Sequence, residues 1–262
     1  TGAPIEFLKD YGIPFYLAAA IAIRSHIPDA VIFIEPILDM TDPSKDQKPI
    51  LDDEQVGAGF VWAPHYYDGI TLMTKSFSRY LGMDSVTQRP AISMRMIEKK
   101  YGMGISKLMH EARVMGSGGC PVIIGECGIP FDLGGKDRKP VFFGQHQHQS
   151  AFETGNFSKC THALNRTMVS LEHARVSYTI WCYAQDNTNE NGDGWNGEDL
   201  SLFSRSQIIP GDENNLFAGG RSLSAAIRPY PCRLAGDLIR FSFSLYRTDR
   251  RFDLVFRPDL PL

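Results

Sequence analysis

The sequence has no excess of basic residues and no long apolar run. Its 27 Lys and Arg are outnumbered by 30 Asp and Glu, so it lacks the positive charge with which proteins neutralise nucleic-acid phosphates. Its longest apolar stretches, residues 13–23 and 30–38, are shorter than the ~18 to 20 residues of a membrane-spanning helix. We therefore expect neither a nucleic-acid partner nor a transmembrane segment.

The cysteine and histidine patterns argue against a disulfide framework and a metal site. The five cysteines are odd in number and form no CxxC pair, which favours a reducing compartment. The tract His146-Gln147-His148 has no further histidine or acid at ligand spacing. We expect no metal and no cofactor. The expected location is cytoplasmic, with the vacuole or a membrane surface as alternatives.

Short apolar, β-branched runs alternate with helical stretches over most of the chain, which is typical of a parallel sheet with crossover helices. Helices are predicted at residues 16–26, 91–115 and 158–174, and strands at 30–35, 58–63, 121–126 and 177–181. Polar, aromatic or glycine-rich segments follow each strand. Active sites of α/β barrels lie at the carboxyl ends of the strands, so the pattern predicts a catalytic face there.

The pattern changes near residue 219, where apolar and polar residues begin to alternate. Residues 237–246 and 251–257 are predicted antiparallel strands. Four parallel strands make half of an eightfold barrel. The predicted architecture is therefore α/β: the C-terminal half of a TIM (β/α)8 barrel over residues 1–218, then the start of a β-sandwich domain at 219–262. Unpaired barrel edges predict self-association.

Glu126 is the sharpest candidate for chemistry, because it ends an apolar strand and is preceded by Gly125. A carboxylate there has the position of a glycosidase nucleophile; the alternative is a salt-bridged acid at a strand end. His65 and Tyr67 have the spacing that points both side chains to one side of an extended segment. Trp181 suits a sugar platform and equally suits a protein core.

Glu35, followed by Pro36, is a second acid at a strand end. A retaining glycosidase needs two carboxyls ~5 to 5.5 Å apart. We nevertheless interpret Glu35 as a structural or substrate-contact residue, since the acid/base of barrel glycosidases of this type follows an Asn and Ile34 precedes Glu35.

Taken together, these segments resemble glycoside hydrolase family 5, in the fungal branch related to endoglycoceramidases that contains glucosylceramidases and steryl β-glucosidases. The resemblance rests on segments in family order along nearly the whole chain: Ile34-Glu35-Pro36, residues 63–68, residues 124–132, Trp181-Cys182-Tyr183, residues 186–201 and Arg228-Pro229-Tyr230-Pro231. It implies that the four strands are the fifth to eighth of the barrel.

The resemblance also implies roles for individual residues. Glu126 would be the nucleophile, His65 and Tyr67 would line the sugar site, and Trp181 would support the glucose ring. The segment over the aglycone entrance would contain Asn187, Asp193 and Trp195. The substrate would be a glycolipid, so peripheral membrane contact is a further expectation.

One family feature has no counterpart in the sequence: the Asn-Glu-Pro acid/base of the fourth strand does not occur before Ala30. The chain begins at Thr1, and we interpret this start as an internal cut; the acid/base then either lies upstream of Thr1 or is lacking from this chain. Three functions stay open: a retaining β-glucosidase for glucosylated lipids, a non-catalytic truncated homologue that binds glycolipid or another chain, and a β-glycanase of another specificity.

Overall fold

The computed structural model describes residues 6–36, 59–115, 118–134 and 151–259. The chain divides into two compact units. The first comprises Thr1–His65, Ser106–Glu126 and Val176–Thr179, and the second comprises Tyr66–Ile105, Cys127–Arg175 and Ile180–Leu262. Helices and strands alternate along the chain, so it belongs to the mixed class that the sequence predicts.

In the described residues the α-helices are α1 (Ile13–His26), α2 (Gly69–Thr74), α3 (Met94–Arg113), α4 (Ala151–Thr154), α5 (Ser158–Ala174) and α6 (Leu223–Ala226). A π-helical turn, Leu8–Gly12, leads into α1, and a 3-10 turn, Arg205–Gln207, precedes α6. The three predicted helices are confirmed, the one at 158–174 with the same bounds. None of the helices in the described part of the chain is long and apolar enough to cross a bilayer.

The strands of the described residues are β1 (Ile32–Ile34), β2 (Phe60–Trp62), β3 (His65–Tyr66), β4 (Leu81–Asp84), β5 (Arg89–Ile92), β6 (Ile123–Cys127), β7 (Ser177–Ile180), β8 (Gly236–Phe243) and β9 (Phe252–Pro258). Each of the six predicted strands is present within a few residues of its expected bounds. The β4–β5 hairpin was not predicted, and it moves the start of α3 from the expected residue 91 to Met94.

A parallel arrangement of strands organises the first unit. β1 pairs in parallel with β2, with Ile32 opposite Phe60 and Ile34 opposite Trp62. Trp62 in turn forms a parallel bridge to Val122, just before β6, and β7 follows β6 in the sheet order β3-β6-β7. Parallel strands end at the same edge of a sheet. The residues that follow β1 and β2 therefore lie close to the last residues of β6. The described strands form no closed barrel.

The core of the first unit lies between this sheet and the helices α1 and α3. Six buried residues form it, with Ile13, Tyr16, Ile32, Cys120 and Val122 packed against them: Ala20, Ile34, Phe60, Trp62, Ala112 and Met115. Burying a large apolar side chain is worth about 1.5 to 3 kcal/mol. This packing fixes the strand ends that carry the candidate site.

In the second unit, β4 and β5 pair antiparallel with Asp84 opposite Arg89. Asp84 is fully buried and accepts a hydrogen bond from the Thr87 amide at 2.8 Å. β8 and β9 pair antiparallel from Gly236–Pro258 to Phe243–Phe252. The predicted change to antiparallel strands after residue 219 is confirmed.

Candidate active site

Glu126 lies one residue before the end of β6, and its side chain is 21% exposed. The residue before it is Gly125, whose amide donates to the Pro64 carbonyl at 3.0 Å. A Cβ atom at Gly125 would lie only 2.9 Å from the Ala63 carbonyl oxygen. Glycine is therefore required at this position, because it lets β6 approach the neighbouring segment closely enough to bring Glu126 beside His65.

His65 stands between two carboxylates. Its Nδ1 lies 3.3 Å from Glu126 Oε2, and its Nε2 lies 3.2 Å from Glu35 Oε1. A neutral imidazole has one donor and one acceptor nitrogen, whereas an imidazolium donates from both. Each His65 nitrogen thus has a carboxylate acceptor within reach. The structure brings together three of the predicted site residues, which come from three separate strand ends.

Glu35 follows β1 and is held through its backbone. The Tyr16 hydroxyl, on α1, donates to the Glu35 carbonyl oxygen at 2.5 Å. Burial, and then the charge of Glu35, raise the pKa of Tyr16 to about 12, so the phenol keeps its proton at physiological pH. Pro36 restricts the residue before it to extended backbone. Tyr16 was missed by sequence reasoning because nothing in its helical neighbourhood marks it.

The remaining predicted site residues belong to the second unit. Tyr67 is buried, and its amide donates to Ser85 Oγ at 3.3 Å. Trp181 is half-buried, and its amide donates to the Cys127 carbonyl at 2.8 Å. A Cβ at Gly128 would collide with the Trp181 carbonyl oxygen. Glycine at 128 thus permits the close approach of these two segments.

The segment from Asp186 to Leu200 is shaped by its own polar side chains. Asn187 is buried, and its Nδ2 donates to Asp199 Oδ1 at 2.8 Å. Asp193 accepts from the amides of Trp195 and Leu200, both at 3.0 Å. Asn187 and Asp193 therefore organise the segment, while Trp195, 60% exposed, presents its indole ring to solvent.

The comparisons with known proteins decide the family. The chain is 27% identical to a glucosylceramidase of Rhizopus delemar over 97% of its length and 31% identical to a glucosylceramidase of Aspergillus fumigatus over 78%. It is 29% identical to the ergosteryl-β-glucosidase of Saccharomyces cerevisiae over 76%. This chain belongs with the fungal glucosylceramidases and steryl β-glucosidases. No family model matches it.

The structural comparison agrees with this glucosidase family. The crystal structure of Cryptococcus neoformans sterylglucosidase 1 with tris superposes with a TM-score of 0.77 at 28% identity, covering 98% of this chain and 36% of that one. The chain spans 37%, 26% and 25% of the lengths of the Rhizopus, Aspergillus and Saccharomyces relatives. It therefore corresponds to a part of those glucosidases.

Within the described residues, no group of three or more His, Cys, Asp or Glu side chains is arranged to hold a metal ion. The tract from His146 to His148 lies outside the described residues.

Proposed function

We propose that this chain carries the nucleophile half of a retaining β-glucosidase that acts on a glucosylated lipid, either glucosylceramide or a steryl β-glucoside. The observation that supports this most is the Glu126 carboxylate near the end of β6, 3.3 Å from the His65 imidazole. It occurs in a chain whose relatives are named glucosylceramidase and ergosteryl-β-glucosidase. The lipid class follows those names.

In the proposed reaction a Glu126 oxygen attacks the anomeric carbon of glucose. The bond from that carbon to the lipid oxygen breaks, and the oxygen leaves with the electron pair and takes a proton from an acid. Water then attacks the same carbon, gives its proton to the conjugate base of that acid, and releases Glu126 as a carboxylate. No metal or cofactor is required, because carboxyl groups perform every step.

We propose that Glu35 is not the acid of this reaction. The two carboxyls of a retaining glycosidase face one bond at ~5 to 5.5 Å, whereas an imidazole ring stands between Glu35 and Glu126. The acid would instead be the Asn-Glu-Pro glutamate that the family resemblance puts on the fourth barrel strand. That motif has no counterpart before Ala30.

The proposed architecture assigns β1, β2, β6 and β7 to strands five to eight of a (β/α)8 barrel. The parallel pairing of β1 with β2 and the parallel bridge from Trp62 to Val122 support it. The barrel part would end at residue 218, and residues 219–262, with β8 and β9, would begin the β-sandwich domain.

We further propose that Tyr67 and Trp181 contact the glucose and that Trp195 contacts the aglycone. The exposure of Trp195 supports the proposed contact with the aglycone, since an exposed aromatic ring suits an apolar lipid. Asn187 and Asp193 would act by holding that segment in shape.

Hydrolysis of an activated aryl β-glucoside tests the nucleophile, because its leaving group departs without needing a proton. Aryl alcohol release is expected from the wild-type protein and not from Glu126→Gln. The matched control is Glu98→Gln, the same change at an exposed helical residue, which retains wild-type release. Release that persists in Glu126→Gln, or its absence from folded wild-type protein, would overturn the proposal.

A further inference from the structure

The first unit contains a continuous chain of polar contacts that ends at Glu126. The Tyr16 hydroxyl holds the Glu35 carbonyl at 2.5 Å, the Glu35 carboxylate faces His65 Nε2 at 3.2 Å, and His65 Nδ1 faces Glu126 at 3.3 Å. These residues lie far apart in sequence and come from a helix and three strand ends. We propose that Glu35 is a positioning residue that acts on Glu126 through His65. This inference rests on Glu126 being the nucleophile.

The geometry explains why His65 needs a second carboxylate. An imidazole held only by Glu126 is fixed at one nitrogen, so its ring plane can still turn about the side-chain torsions. A carboxylate on the opposite nitrogen fixes the ring plane, and an Nδ1–H held in that position donates to Glu126. Charge-assisted hydrogen bonds of this type are stronger than neutral ones.

A donor on one oxygen of Glu126 has two consequences for the reaction. It directs the other oxygen towards the anomeric carbon, which lowers the entropic part of the barrier to attack. It also stabilises the carboxylate that leaves when water cleaves the glycosyl ester. Both effects act on the chemical steps and not on the affinity for glucose.

Glu35 acts mainly by orientation. Its side chain is 62% exposed, against 33% for His65 and 21% for Glu126, so water screens its charge. Tyr16 restrains Glu35. It is half-buried on α1, and its hydroxyl holds the backbone of Glu35 from the core side. Among the described residues, the acidic groups that face His65 are Glu35, from the end of β1, and Glu126, from β6.

The test is a double-variant cycle in the full-length protein, with kcat and KM measured on dinitrophenyl β-glucoside. We expect Glu35→Gln to lower kcat roughly tenfold, as loss of one charge-assisted hydrogen bond does, with KM nearly unchanged. In a His65→Gln background, Glu35→Gln should have no further effect, because a residue that acts through His65 has nothing left to position. Glu98→Gln is the matched control.

Two outcomes would overturn this role. One is an equal loss of kcat from Glu35→Gln in both backgrounds, which means an independent effect; the other is a change in KM alone. If Glu35→Gln does not fold, Tyr16→Phe tests the same chain by removing one hydroxyl. Tyr16→Phe should lower kcat less than Glu35→Gln does, and it should have no effect in the His65→Gln background. An equal loss of kcat in both backgrounds would overturn the role in that case too.

A trapping measurement separates this inference from the proposed function. A fluorinated glucosyl fluoride accumulates the glycosyl-enzyme, and mass spectrometry of peptides locates the attached sugar. Labelling of Glu126 without coupling between Glu35 and His65 overturns the positioning role alone. Labelling of another residue overturns both the role and the nucleophile.

Discussion

Individual buried polar residues hold the second unit together, and the Asp199–Arg221 pair is one example. Both side chains are buried, and the guanidinium donates to Asp199 Oδ2 at 3.0 Å and, through Nε, to the Ser201 carbonyl at 3.1 Å. Asp199 also accepts from Asn187. One carboxylate thus connects a distant arginine to the segment proposed to contact the aglycone.

Asp199→Ala should lower the free energy of unfolding by about 3 to 5 kcal/mol, because it leaves Arg221 buried without a counter-charge. Urea unfolding followed by tryptophan fluorescence measures it. The control is Asp249→Ala, which breaks an exposed pair with Arg247 and should leave the urea midpoint unchanged. Equal effects of the two variants would contradict this account of the buried pair.

His162 should give the second unit a pH-dependent stability. Its ring stacks on Tyr246 at 4.1 Å; burial, and then the charge of Arg79, lower the pKa of His162 below its usual 6.5. The unfolded state therefore takes up the proton at a higher pH than the folded state does. The free energy of unfolding should fall as the pH drops below 6.5.

In His162→Gln this contribution to the pH dependence should disappear. Urea midpoints of both proteins, measured between about pH 8 and pH 5, test it. A variant whose midpoint declines as steeply as that of the wild type would show that His162 does not carry the effect.

At the scale of elements, two glycines of α3 that lie within a single turn have different surroundings. Gly104 packs against β4, and a Cβ there would overlap the Asp84 carboxylate, whereas a Cβ at Gly102 would meet nothing within 4 Å. Gly104 is therefore a packing requirement. Gly102 carries only the cost of a glycine within a helix.

The two glycines make a matched pair of variants. Gly102→Ala should stabilise the protein by roughly 0.5 to 1 kcal/mol through helix propensity. Gly104→Ala should destabilise it, because overpacking a buried site costs about 1 to 3 kcal/mol. Thermal melts of both proteins measure the difference, and shifts of the same sign would contradict it.

At the scale of the whole molecule, the first unit has large apolar side chains in solvent. Phe7 is 59%, Tyr11 55% and Phe15 67% exposed, and α1 has no polar face over its first turns. A helix that is apolar all round is normally covered by other protein. The chain also spans only 25% to 37% of its curated relatives.

Residues 1–262 expressed alone should therefore self-associate. Light scattering after size-exclusion chromatography should give a mass above that of a monomer. Replacing Phe7, Tyr11 and Phe15 by serine should shift the distribution towards monomer. A monomeric wild-type chain that unfolds cooperatively would contradict this prediction.

The sequence by itself determined most of the longer elements and the candidate chemistry. Apolar, β-branched runs predicted β1, β2, β6 and β7, and a helical stretch predicted the bounds of α5, because both patterns depend on local periodicity. Glu126, His65 and Glu35 were each identifiable since each stands at a strand end. The β4–β5 hairpin was missed because its pairing is stabilised by buried contacts, such as Asp84 with Thr87, that no periodicity records.

Only the tertiary structure decided how the candidate residues meet. Strand pairing and the close approach at Gly125 bring Glu35, His65 and Glu126 within hydrogen-bonding distance, and the packing of α1 adds Tyr16. Distances between residues so far apart in the chain depend on how sheet and helix pack. The sequence does not reveal these distances, because the residues next to each one in the chain are the same whichever distant residue it contacts.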